Sequence, residues 1–196
     1  MIEYKILLGA LAVAFQLLSY LIYFIGIWKG TTKPHAFTWF VWGFLNVIAL
    51  PAVLSVGGGA GAWVLGVNVI ACFTISGIGF WQKRVQYDLY DWLALIGGIV
   101  GALFWWMTDN PMYAIILISL SDVVSLIPTF RKAYRLPFEE NAGSFVIGLP
   151  GYLFSLFALE TLTLTTWLYP VVIIAIDTIL VILIIIKLYV NCNLVH

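Results

Sequence analysis

Apolar residues run through this chain in long unbroken stretches, separated by short clusters of glycine, proline and charge. Seven stretches approach the roughly 20 residues that a helix needs to cross a bilayer. They predict helices over about 6–28, 36–56, 61–81, 90–107, 112–130, 144–160 and 167–188. The runs are continuous rather than alternating, which argues against a barrel of amphipathic strands. Helices also satisfy their own backbone in a solvent that offers no hydrogen bonds. The breaks carry turn chemistry, with Gly57-Gly58-Gly59 after the second run and Asp109-Asn110-Pro111 after the fourth. Glycine is too free for a helix interior, and proline lacks the amide proton. The first run exceeds the roughly 7–15 apolar residues of a signal peptide, so it reads as a retained helix.

Composition strengthens the membrane reading. Of the 196 residues 63% are hydrophobic and 9% charged, against about 25% charged in a soluble domain. The formal net charge is 0, which argues against a nucleic-acid partner. Cys72 lies inside an apolar run and Cys192 in the tail. They make no disulfide framework, and no Cys/His cluster has metal-ligand spacing. Neither a metal nor a cofactor is expected.

The basic residues orient the helices. Lys29, Lys33, Lys83, Arg84, Arg131, Lys132, Arg135 and Lys187 share one side in this topology, and Lys5 alone takes the other, beside Glu3. Positive charge marks the cytoplasmic side. The N-terminus is therefore expected outside and the C-terminus in the cytoplasm, in a plasma (inner) membrane. Trp28, Trp105 and Trp106 fall at helix ends, where aromatic residues favour the interface.

A repeat runs through the chain. Trp28-Lys29, Pro34 and Thr38-Trp39 recur as Arg131-Lys132, Pro137 and Ser144-Phe145, and in both copies the proline follows the lysine by five residues. This places Ser19 opposite Asp122 and, after an insertion at Glu139, Glu140 and Asn141, Asn46 opposite Tyr152. Three helices fused directly to three more would invert the second copy. A linker helix restores its direction. The expected architecture is all-α, with two parallel three-helix bundles joined by a linker (3+1+3), over residues 1–84, 85–109 and 110–196.

In this layout, and in Pro128-Thr129, Arg131-Lys132 and Gly143-Ser144-Phe145, the chain resembles the SWEET and PQ-loop transporter superfamily, whose repeats are parallel. Thr129 stands where the pattern has glutamine, and the first copy has Ile25-Gly26 at the Pro128-Thr129 position. The resemblance implies a small-solute transporter working by alternating access. It implies hinges at Pro128 and Pro150, and a gate at Arg131 and Lys132.

Six of the helices carry a polar side chain near mid-depth: Gln16, Asn46, Asn68, Asp122, Tyr152 and Asp177. The fourth carries Gly97, Gly98 and Gly101 instead, which permit close helix contact. A carboxylate at mid-membrane costs at least ~2.5–3.5 kcal/mol on insertion scales and marks proton and substrate paths. Asp177 and Asp122 are thus candidates for proton coupling, with interhelical bonding as the other role open to them. Asn46, Asn68 and Gln16 supply hydrogen bonds to a polar solute or between helices. Trp42 and Tyr152 can stack on a ring. His35, beside Pro34, is expected to be a solvated cap, with a gate or pH sensor as its other role, and Glu139 and Glu140 a solvated cluster, with an inner-gate latch as theirs.

No catalytic residue is expected. No Gly-x-Gly-Asp sequence supports an aspartyl protease, and no nucleophile pair is visible. Lys187 sits too near a helix end for a retinal Schiff base. The open alternative to a transporter is a receptor or interaction protein on the same fold. The expected partners are a small polar solute and the bilayer, with homo-oligomerisation left open.

Overall fold

The computed structural model describes residues 2–82 and 88–193. Among them run seven α-helices: α1 (Ile2–Trp28), α2 (Ala36–Leu54), α3 (Trp63–Trp81), α4 (Leu89–Thr108), α5 (Pro111–Arg135), α6 (Ala142–Ala158) and α7 (Leu164–Asn193). Six are long and apolar enough to cross a membrane, as expected of an integral membrane protein. The exception is α6, whose 17 residues reach only about 25 Å at 1.5 Å per residue. Six of the seven expected spans therefore have membrane length, and α6 is a shorter apolar helix. Asn141 caps α6 at one end, and Leu159 turns extended at the other.

Side-chain caps set many of the helix starts. Asp88 and Asp91 form a reciprocal capping box on α4, and Asn110 with Pro111 starts α5, each satisfying amides that a first turn leaves orphaned. Asp109 adopts a left-handed φ of 51° between α4 and α5. The third helix is shorter than its apolar run because Gly59–Ala62 forms a 3-10 turn before it. That turn wedges between α1 and α6. A methyl on Gly61 would meet Ser155 O at 2.5 Å and the Leu159 amide at 2.9 Å, so no side chain fits there. α5 is longer than its apolar run. Arg131, Lys132 and Arg135 lie on its last turns rather than in a loop, because the helix ends only before Pro137, which disfavours helical backbone at Leu136.

Packing follows a paired scheme. α3 packs on both α1 and α2, and α7 packs on both α5 and α6. Among the described residues the backbones of α1 and α2 do not approach closely, nor do those of α5 and α6, although Tyr20 and Tyr23 on α1 meet the Trp39 ring on α2. Across these groups α1 meets α6 and α2 meets α5. α4 lies outside, against α5 and α2. Its glycines make the fit. A methyl on Gly97 would collide with Ser121 Oγ, on Gly98 with Leu45 Cδ2, and on Gly101 would press Leu117 Cβ at 3.1 Å.

The two ends of the bundle differ in chemistry. At one, the Lys33 amide donates to Glu139 O at 3.1 Å, Lys33 pairs with Glu139, and Lys132 bridges Glu140 at 2.7 Å and the Lys33 carbonyl. Arg131 reaches Asp88 at 3.4 Å and lies over the Tyr90 ring. At the other end Lys5 donates to Leu159 O at 2.7 Å and Glu160 O at 3.1 Å, and the Thr161 amide donates to Gly57 O at 3.0 Å. A pair of loops thus crosses each end. Lys83 and Arg84 lie outside the described residues.

Candidate functional site

Buried apolar residues form two layers. One contains Ala12, Leu65, Ile118 and Ile173, and the other Tyr20, Ala71, Leu126 and Leu180. Between these, on the same four helices, fall Gln16, Asn68, Asp122 and Asp177. The polar positions therefore occupy a band between apolar seals.

In that band lies a cavity of about 60 Å³, room for roughly four to six waters at the 10–15 Å³ each requires. Gln16, Trp42, Asn46, Asn68, Asp122, Tyr152 and Asp177 all line it. So do Ser19, Tyr20, Tyr23, Trp39, Cys72, Ser144, Phe145 and Tyr169. These belong to α1, α2, α3, α5, α6 and α7, and among the described residues α4 contributes none.

A hydrogen-bond network centred on Asn68 ties six helices together. Tyr20 donates to Asn68 Oδ1 at 3.0 Å, and Asn68 Nδ2 donates to Tyr152 Oη at 2.8 Å and Asn46 Oδ1 at 3.3 Å. Asn46 Nδ2 in turn donates to Tyr169 Oη at 3.3 Å and to Trp42 O at 2.9 Å. Trp42 Nε1 donates to Ser125 Oγ at 2.7 Å, which brings in α5. Ser19 Oγ donates to Ser144 O at 2.7 Å. The aromatic wall is continuous, with Tyr23 and Trp39 ring centroids 4.8 Å apart and Trp39 and Trp42 4.9 Å apart.

Two carboxyls stand outside the network, and one amide oxygen lacks a partner. Asp122 is 4% exposed and Asp177 half-buried. Among the described residues neither carboxyl has a hydrogen-bond or ion-pair partner. Gln16 Oε1 is buried without a partner as well, a costly condition for a polar atom.

The proposed gate and hinge residues sit apart from the cavity. Pro128 is buried inside α5, and Pro150 lies within α6. Pro51 in α2 and Pro170 in α7 are further mid-helix prolines, which the sequence reading did not single out. Lys132 reaches the α1–α2 loop, whereas Arg131 turns to the start of α4.

Two expectations of solvated charge are corrected. The Glu140 side chain is 3% exposed against Lys132, and burial pushes its carboxyl up while Lys132 opposes. His35 caps α2 and its side chain is 8% exposed. Its Nδ1 lies 2.7 Å from Thr38 Oγ1, which donates to Asp91 Oδ1 at 2.6 Å. Asp91, fully buried, thus pins the start of α4 to α2. Both sites were misjudged because loop residues between apolar runs look wet until tertiary packing covers them.

Burial holds the His35 imidazole below its ordinary value, and Lys132 pushes the same way while Asp91 and Asp88 oppose. The folded chain therefore binds this proton less readily than the unfolded chain. Its stabilising effect is full above the ordinary value of about 6.5 and falls as pH drops through it. Melting temperatures in detergent across that range should fall less steeply for His35→Gln than for the parent. Identical slopes would contradict this.

Among the described residues no group of three or more His, Cys, Asp or Glu side chains is placed to hold a metal ion. The arrangement defines an all-helical protein with a buried polar chamber inside a membrane-type bundle. Comparison with known proteins finds no matching family profile, no matching curated protein and no matching solved structure.

Proposed function

We propose that this chain is a small-solute membrane carrier of SWEET/PQ-loop type, working by alternating access around the central cavity. The observation that carries the proposal is the cavity itself, with α1, α2, α3, α5, α6 and α7 contributing polar side chains and, among the described residues, α4 contributing none. Transporters of parallel-repeat build bind at mid-depth between their repeats.

In this reading α1–α3 and α5–α7 are two like-facing units, α4 is the linker, and the short α6 spans with the rest. The packing scheme favours it, since exchanging α1, α2 and α3 for α5, α6 and α7 maps each pairing among these six helices onto another. Residues that the repeat makes equivalent also converge. Trp39 and Phe145, Asn46 and Tyr152, and Ser19 and Asp122 all line the cavity. The basic end, with Lys33, Arg131 and Lys132, is taken as cytoplasmic by the positive-inside rule, in a plasma (inner) membrane. The loop pairs at the two ends are the gates, with Lys132 and Glu140 latching the inner one.

Asp177, and with it Asp122, couples transport to protons. Membrane carboxyls that lack a cationic partner serve in proton relays. The test is uptake from a metabolite mixture into proteoliposomes, with mass spectrometry of the lumen. An inward proton gradient should drive accumulation of at least one solute, and Asp177→Asn should lower it tenfold or more. Equal uptake by Asp177→Asn between about pH 5 and about pH 8 would remove the coupling. Solute binding without any filling of the lumen would leave a receptor on the same fold.

A further inference from the structure

The cavity's charge balance is one-sided. It presents Asp122 and Asp177 and, among its lining residues, no lysine, arginine or histidine. Two carboxyls facing one small space need positive charge or protons, because like charges in a poor dielectric repel strongly. No protein cation supplies it. The rest of the lining matches a carbon-framed cation rather than a bare ion. No His/Cys/Asp/Glu cluster suited to a metal occurs among the described residues. The aromatic wall brings two indoles, Trp39 and Trp42, to the cavity, and indole is the best side chain for holding a cation over its face. Gln16 Oε1 is an unpartnered buried acceptor at the same cavity. It suits a ligand that brings an N–H or an acidic C–H.

We propose that the cavity binds a small organic cation, a ring-borne or methylated ammonium with no acid group of its own. This rests on the reading of the cavity as the solute site and narrows the solute. A sugar gives two carboxyls nothing to neutralise. An anion, or the carboxylate of an amino acid, meets repulsion with no base to receive it. The cation settles against the carboxyls and the indoles together, which act on one charge.

The test is isothermal titration of the full chain in detergent near neutral pH with three probes. These are N-methylpyridinium, its uncharged relative pyridine, and benzoate. N-methylpyridinium should bind at least tenfold more tightly than pyridine, and benzoate should not bind. Asp122→Asn combined with Asp177→Asn should abolish the cation preference and spare any pyridine binding. Wild-type selectivity decides the matter even if that variant does not fold. Equal affinity for cation and neutral ring, binding of benzoate, or no binding by any probe would each overturn the proposal. These outcomes concern recognition only. A protein that binds the cation but never exposes the cavity to both membrane faces would sink the carrier reading and leave this one standing.

Discussion

Asn68→Leu should cost both stability and ligand binding, more than any other single change in the lining. Leucine has nearly the shape of asparagine but no polar atom. The change removes the acceptor of Tyr20 and the donor to Tyr152 and Asn46. Interhelical hydrogen bonds of this kind average ~0.6 kcal/mol each, so three amount to about 2 kcal/mol. The loss grows where a stranded partner finds no substitute, because a buried unpaired polar group costs about 1–3 kcal/mol. For a chain of this length about 2 kcal/mol corresponds to a fall of roughly 4–8 °C in melting temperature.

The consequence for function exceeds that for stability. Asn68 fixes the positions of Tyr152 and, through Asn46, of Tyr169. Both tyrosines line the cavity. Without their anchor the wall loses its shape. Asn68→Gln should recover part of the stability, since its amide can still accept from Tyr20 and donate to Tyr152. Thermal melting of both variants checks the order. An unchanged melting temperature for Asn68→Leu would show that the network adds nothing.

Much of the site was legible because helices obey a simple period. Residues three and four apart share a face. Tyr20 follows Gln16 by four, Cys72 follows Asn68 by four, and Tyr169, Ile173 and Asp177 form a ladder on α7. Extending each polar mid-depth residue along its own face would have found these extra lining residues. The helix breaks were legible too, from Gly57-Gly58-Gly59 and Asp109-Asn110-Pro111, since both involve positive-φ backbone or a proline start.

What stayed hidden was decided between elements. Asp91 reads locally as the partner of Asp88 in a cap, and its second bond, from Thr38, crosses to α2. Glu140 looks wet in a charged loop, yet the α1–α2 loop and Lys132 cover it. The 3-10 turn at Gly59–Ala62 has the composition of a helix start. It tightens because α1 and α6 press on it from both sides. Three chemically ordinary stretches thus acquire their roles from neighbours far along the chain.

The carrier account requires that the chamber be reached by water from each side of the membrane in turn. A cysteine placed at Asp177, in a chain whose Cys72 and Cys192 are replaced by serine, reads this without knowledge of the solute. Membrane-impermeant thiol reagents applied to right-side-out and inside-out vesicles should modify it from both faces. A thiol at position 177 that reacts from one face only, or from neither, would contradict the account.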